Sequence, residues 1–211
     1  MKHENIITIH EIINDDINNC VYCIFEYFPC KNLNDLLVSK HKFTIDQVKF
    51  IIQKVLLALE YLHEMNICHR DITLTNVLIS EDFKLVKIID FGISKIINDV
   101  TKCMMSPVGK GNNLPPEYEI QGFYTNKLDI WLTGILMLQI IYRAPFNTKK
   151  ALLFFNKLSS QKNNEENSNF GFDFNALDFI KGLLNPEPEH RKSCTEALKH
   201  EWLNLSSSKD I

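Results

Sequence analysis

Runs of β-branched and aromatic residues give way near Pro29 to apolar positions spaced at period 3.6. "NIITIHEII" from Asn5 and "CVYCIFEYF" from Cys20 are β-branched and aromatic runs on either side of the polar "NDDINN". They predict two strands joined by a turn, a β-hairpin. After Pro29 the pattern turns helical, with a short helix at "NLNDLLVSK" and a long one at "TIDQVKFIIQKVLLALEYLHEM". Thr44 and Gln47 stand at capping-box spacing at the start of the long helix. Val48, Ile51, Ile52, Val55, Leu56, Leu59 and Leu62 make one apolar stripe, which must lie on a core.

Short strands are expected at "NVLI" and "LVKIID", followed by a long irregular stretch from Asp90 to Glu117 of the kind that carries function in a compact domain. The rest reads as helix: "IWLTGILMLQII", "KKALLFFNKL", "NALDFIKGLL" and "SCTEALKHEWL", the last opening on a second capping box, Ser193 with Glu196. The run from Ile130 to Ile141 is too short to span a membrane and is bracketed by Asp129 and Arg143, so it reads as a buried helix. The polar "SSQKNNEENSN" is a low-complexity surface insert, and no internal repeat is visible.

Composition adds little beyond limits. A chain of 211 residues, 45% hydrophobic, can bury one substantial core. Its net charge of -3 provides no basic field for nucleic acid or an anionic membrane. Six cysteines without a paired framework, and no signal peptide before them, point to a reducing intracellular compartment, the cytoplasm. Cys20 and Cys23 form a lone CxxC that would point to opposite faces of a strand, so packing rather than zinc explains it.

The chemistry is concentrated in "CHRDITLTNVLI". His69-Arg70-Asp71 is followed by Asn76, and Asp90-Phe91-Gly92 comes one strand pair later. Each tripeptide alone is weak, but "PPE" at Pro115 to Glu117, "DIWLTG" from Asp129 and Arg191 after "NPEPEH" stand in the same order. Together they resemble the catalytic core of the eukaryotic protein kinases. The fold implied is α+β and mainly α: a kinase-like large lobe with a residual two-stranded small-lobe hairpin. The corresponding units are 1–28 for hairpin and hinge, 29–205 for the large lobe and 206–211 for a tail. The catalytic loop falls at 68–76 and the activation segment at 90–117.

By this resemblance Asp71 would orient a substrate hydroxyl, Asn76 and Asp90 would hold Mg2+, and ATP would be the phosphoryl donor. Phe25 would be the gatekeeper behind the adenine, with Glu26 and Phe28 offering backbone groups to its edge. His69 would pack under Phe91, and Arg70 would await a phosphate on Thr101 or Ser106. Asp129 would hold the catalytic-loop backbone, and Glu117 with Arg191 would form a buried ion pair. "GKGNNLPPE" and the lack of an AAR or RAA insert favour a serine or threonine acceptor on a protein substrate.

Two features depart from the family pattern. Thr73 occupies the place of a lysine, while Lys110, counted back from Pro116, falls where a threonine would stand; an exchange would have Lys110 supply the ammonium. No glycine precedes Gly92 and no lysine lies in a VAIK-like strand, so a glycine-rich loop is absent from these residues. The expectation is an N-terminally truncated serine/threonine kinase, whose small lobe would come from missing residues or a partner. A pseudokinase scaffold is the alternative, although a pure scaffold has no physical need for Asp71, Asn76 and Asp90 together; a non-kinase binding domain would require the motifs to be accidental.

Overall fold

The computed structural model of the chain describes residues 2–97, 113–160 and 174–204. The hairpin forms as β1 (Ile9–Asp15) and β2 (Cys20–Phe25), antiparallel, with a register irregularity between Ile9 and Glu11. It starts later than the residue pattern predicts. Residues before Ile9 pack on the large lobe instead: Ile6 is buried and bridges Ile88 in parallel, and the Asn5 side-chain amide donates to the Val86 carbonyl at 2.9 Å. His3 stacks on Tyr61, and Lys54 pairs with Glu4, so this segment is moored to the long helix.

Short β3 (Cys30–Asn32) leads into α1 (Leu33–Val38), with the Asn32 side chain accepting from the Asp35 amide. The helix α2 (Ile45–Glu64) buries Val48, Ile51, Ile52, Val55, Leu56, Leu59 and Leu62, the stripe expected of it, together with Ala58. Its capping box is formed in both directions: the Gln47 amide donates to Thr44 Oγ1 at 3.2 Å, and the Thr44 amide to Gln47 Oε1 at 2.9 Å. β5 (Val77–Ser80) lies between β3 and β6 (Val86–Ile88), all antiparallel, with Val77, Ile79, Val86 and Ile88 buried. Two-residue strands β4 (Ile67–Cys68) and β7 (Lys95–Ile96) pair with each other and bracket the stretch that contains Asp71, Asn76 and Asp90.

Six helices are seen among the described residues after Asp90. α3 (Pro116–Gln121) begins with proline at its first turn, where a missing N–H does no harm. α4 (Lys127–Tyr142) is apolar on all sides and buried almost throughout, as a helix in the middle of a core must be. Gly134 lets it approach the end of the next layer, since a Cβ there would lie 2.6 Å from Leu184. α5 (Thr148–Ser160) and α6 (Phe174–Leu183) follow. The pattern predicts one last helix, but two form, α7 (Cys194–Leu198) and α8 (Glu201–Asn204). His200 causes the break: its Nδ1 accepts from the Trp202 amide at 3.2 Å and its Nε2 meets Asp178 at 3.0 Å, so it caps a new turn. Among the described residues no helix is long and apolar enough to cross a membrane.

Candidate active site

Residues 68–76 leave the β4 strand and return as β5, and their path depends on a carboxylate from another layer. Asp129, in the first turn of α4, is completely buried and accepts from the His69 amide at 2.9 Å and the Arg70 amide at 2.8 Å. His63, in the last turn of α2, adds a third contact through Nε2 at 2.8 Å. Burial alone would push the Asp129 carboxyl up, but His63 and the Arg70 amide outweigh it and hold it below the usual aspartate range. Arg70 can then keep a left-handed backbone (φ 71°), a conformation that strains a non-glycine residue.

His69 ties the loop to the strand before Asp90. Its Nε2 meets the Ile89 carbonyl at 3.1 Å and its Nδ1 accepts from the Asp71 amide at 3.2 Å, which assigns the proton to Nε2. Burial lowers its pKa and keeps the ring neutral, as these two roles require. Its ring meets Phe91 edge-on with centroids 4.9 Å apart.

Asn76 is 8% exposed and points its amide nitrogen at Asp71, with 2.8 Å to Oδ2 and 3.0 Å to the backbone carbonyl. Its Oδ1 is engaged by no described residue, which leaves a neutral oxygen facing away from Asp71. Its carbonyl accepts from the Ile89 amide at 2.9 Å, one residue before Asp90. Asp90 is exposed, again left-handed (φ 67°), and its Oδ1 accepts from the Gly92 amide at 3.0 Å. A Cβ at Gly92 would lie 3.0 Å from that same oxygen, so glycine preserves the turn.

Thr73 Oγ1 shares a hydrogen bond of 3.0 Å with Thr75 Oγ1. Lys110, Thr101 and Ser106 lie outside the described residues. The Arg70 guanidinium donates from Nε to the Ile93 carbonyl and from Nη1 to the Tyr124 hydroxyl at 3.0 Å. Glu117 and Arg191 form a bidentate pair at 2.8 and 2.7 Å, both side chains buried. Arg191 also donates to the carbonyls of Asn185, Lys127 and Pro186, so its fork is fully used.

At the hinge, Phe25 is half exposed and the Glu26 amide is already given to the Thr8 carbonyl at 2.9 Å. Glu26 can therefore offer only its carbonyl to a ligand, while among the described residues the Phe28 amide makes no backbone hydrogen bond. Two contributors went unforeseen, His63 and Lys87. Nothing in their windows marks them: each sits in a regular element, and only the fold brings it to Asp129 or to Glu26.

The profile of the protein kinase domain matches residues 1–203. This chain belongs to the protein kinase family. It is 30% identical over its whole length to calcium-dependent protein kinase 4 of Plasmodium berghei (strain Anka), covering 40% of that protein. It is 32% identical over 90% of its length to the serine/threonine-protein kinase pakG of Dictyostelium discoideum, covering 16% of it. A third relative, the SNF1-related protein kinase catalytic subunit alpha KIN12 of Arabidopsis thaliana, is 29% identical over 97% of the chain and is covered to 40%. The kinase chain thus spans well under half the length of these relatives. The α+β, mainly helical large lobe with a hairpin beside it agrees with this membership.

Proposed function

We propose that the chain carries the catalytic half of a protein serine/threonine kinase, which transfers the γ-phosphoryl group of ATP to a protein hydroxyl. The observation that carries the reading is the clamp of the Asn76 amide on Asp71 Oδ2, one backbone hydrogen bond away from the residue before Asp90. Phosphoryl transfer asks a protein for position and charge compensation rather than covalent help. Asp71 accepts the hydrogen bond of the attacking hydroxyl and orients it. The left-handed turns at Arg70 and Asp90, the first held by Asp129, set the two carboxylates beforehand.

The oxygens on offer suit magnesium. Asn76 Oδ1 and Asp90 Oδ2 are hard donors not engaged by described residues, and the competing amide nitrogen of Asn76 is turned away. An ion held by Asn76 and Asp90 would be completed by phosphate oxygens and water. When bound, Mg-ATP supplies the electrophilic phosphoryl group and neutralises its charge. The Glu26 carbonyl and the Phe28 backbone are the groups that would read the adenine edge, with Phe25 behind it.

The test is made in a kinase domain completed with a glycine-rich loop and a phosphate-binding lysine. Asp71→Ala and Asp90→Asn should each lower phosphotransfer by at least about 100-fold, the lower end of positioned acid–base effects, with little change in the unfolding midpoint. Turnover that survives Asp90→Asn at saturating magnesium would sink the metal assignment. Transfer to tyrosine in preference to serine and threonine peptides would sink the acceptor assignment.

A further inference from the structure

Cys194 is 4% exposed and opens α7, directly after the N-cap Ser193. The capping box fixes it there, since the Ser193 amide donates to Glu196 Oε2 at 2.7 Å and the Glu196 amide to Ser193 Oγ at 3.2 Å. Cys194 and its neighbour Thr195 meet two residues of α2 that lie one turn apart, His63 and Glu60. Thr195 Oγ1 donates to Glu60 Oε1 at 2.6 Å, and Cys194 Sγ lies 3.5 Å from His63 Nδ1. The start of α7 is thereby joined, side chain to side chain, to the end of α2.

Both ring nitrogens of His63 are then engaged, because Nε2 meets Asp129 Oδ2 at 2.8 Å. Only 11% of the His63 side chain is exposed. The partner of one imidazole nitrogen decides the role of the other. Asp129 is a carboxylate held below its usual range, so it accepts, and Nε2 carries the proton. Cys194 keeps its own proton: burial first, and then the carboxylates of Asp129 and Glu60, push its thiol far up. A protonated thiol is a donor and only a weak acceptor, so it matches a bare Nδ1 better than an N–H. The bonds run one way, from the thiol through the ring to Asp129. The His69 amide ends on the same Oδ2 that His63 addresses, and the Arg70 amide on Oδ1.

We propose that Cys194 is a positioning residue: its thiol donates to His63 Nδ1, holds the ring in the Nε2–H form, and so sets how Asp129 is shared between His63 and the catalytic loop. It touches no reacting atom, and its bearing on phosphotransfer rests on the kinase reading. Without the thiol, Nδ1 is a buried acceptor with no donor, a costly state. A second proton on the ring relieves it, with Asp129 beside it to balance the charge. The imidazolium then draws Oδ2 into an ion pair and away from the His69 amide, which loosens the loop that carries Asp71.

The test uses the 211-residue chain with isotope-labelled histidine, and two substitutions that separate the donor from the packing. Cys194→Val has a similar size and no donor, whereas Cys194→Ser is smaller and keeps one. In wild type and Cys194→Ser the His63 Nδ1 resonance should be that of an unprotonated nitrogen. In Cys194→Val it should become that of a protonated nitrogen, and the His69 amide should exchange about tenfold faster, the scale of one lost hydrogen bond. Amides in the middle of α2 should not change. Cys194→Ala gives the same shifts should the valine variant not fold. A protonated Nδ1 in wild type, an Nδ1 that stays bare in the variants without a donor, or a Cys194→Ser that behaves like them overturns the proposal. In the completed kinase domain Cys194→Val should lower kcat by about tenfold with the KM for ATP unchanged, and Cys194→Ser should stay near wild type. Unchanged kcat in Cys194→Val overturns the positioning role. A completed wild-type domain without phosphotransfer counts against the kinase reading, while the nitrogen resonances still decide what Cys194 does to His63.

Discussion

The catalytic loop and the hairpin stand on opposite sides of the hinge and are built by different means. The loop is fastened by buried polar groups from distant layers: Asp129 from α4, His63 from α2 and the two-sided His69. The hairpin has apolar side chains on both faces in contact with water, among them Ile12, Val21 and Tyr22. Its anchors lie at its ends: the segment before β1, held by the bridge at Ile6, the Asn5 side chain on Val86, His3 on Tyr61 and the Lys54–Glu4 pair, and the Lys87–Glu26 pair at the hinge. On the proposed reading Asp71 aims at a reacting hydroxyl, and such a carboxylate has to be over-determined, since a small misplacement removes its effect. A two-stranded sheet has no such demand and is marginal alone.

The comparison breaks most sharply at Glu117. Glu117→Gln leaves the buried Arg191 without its charge partner and should destabilise the large lobe by about 3–5 kcal/mol in urea unfolding. A loss below about 1 kcal/mol would place the pair with ordinary surface bridges. Next is Asp129→Asn, which removes the charge that two loop amides and His63 address and turns a donor toward them. About 2–3 kcal/mol should be lost, the scale of hydrogen bonds to a charged group. Since the folded Asp129 carboxyl is held low, its stabilisation is complete at neutral pH and disappears as the pH falls below about 3.9 toward the depressed folded value. Acid titration of wild type against Asp129→Asn should show the two curves converging only in that range. A gap that closes already at pH 6 would point to another group.

Smaller effects sharpen the contrast from the helical side. Thr44→Ala and Ser193→Ala should each lose about 1 kcal/mol, because each removes the acceptor of a formed capping box. Smallest of all is Ile12→Lys on the hairpin, at 59% exposure, which should change unfolding by no more than about 0.5 kcal/mol while reducing self-association in sedimentation. A loss of 2 kcal/mol there would mean that the hairpin packs on the lobe far more firmly than its exposure indicates.

Much of the architecture was legible in short windows. The stripe from Val48 to Leu62, the two capping boxes, the all-apolar α4 and the hairpin turn each depend on residues within one or two turns of each other. Local hydrogen bonds and periodic burial act over that range. The motif order around Asp71, Asn76 and Asp90 was legible too, because these residues lie close together along the chain. The strand expected from Asn5 and the single final helix were not correctly readable. Ile6 is drawn into the core by β6, and His200 spends its ring on Trp202 and Asp178, both choices made by neighbours distant in sequence or in another helix.

What the sequence by itself determined, then, is most of the helices, the hairpin and the order of the motif residues Asp71, Asn76 and Asp90. The tertiary structure alone decided how those residues are held: Asp129 reaches back 60 positions to the His69 amide, and Lys87 finds Glu26 across the hinge. Periodicity and caps are near-neighbour properties, whereas a buried charge takes whichever partner the packed layers bring within about 3 Å. That partner is chosen by the fold, because desolvation makes an unpaired charge too costly to leave alone.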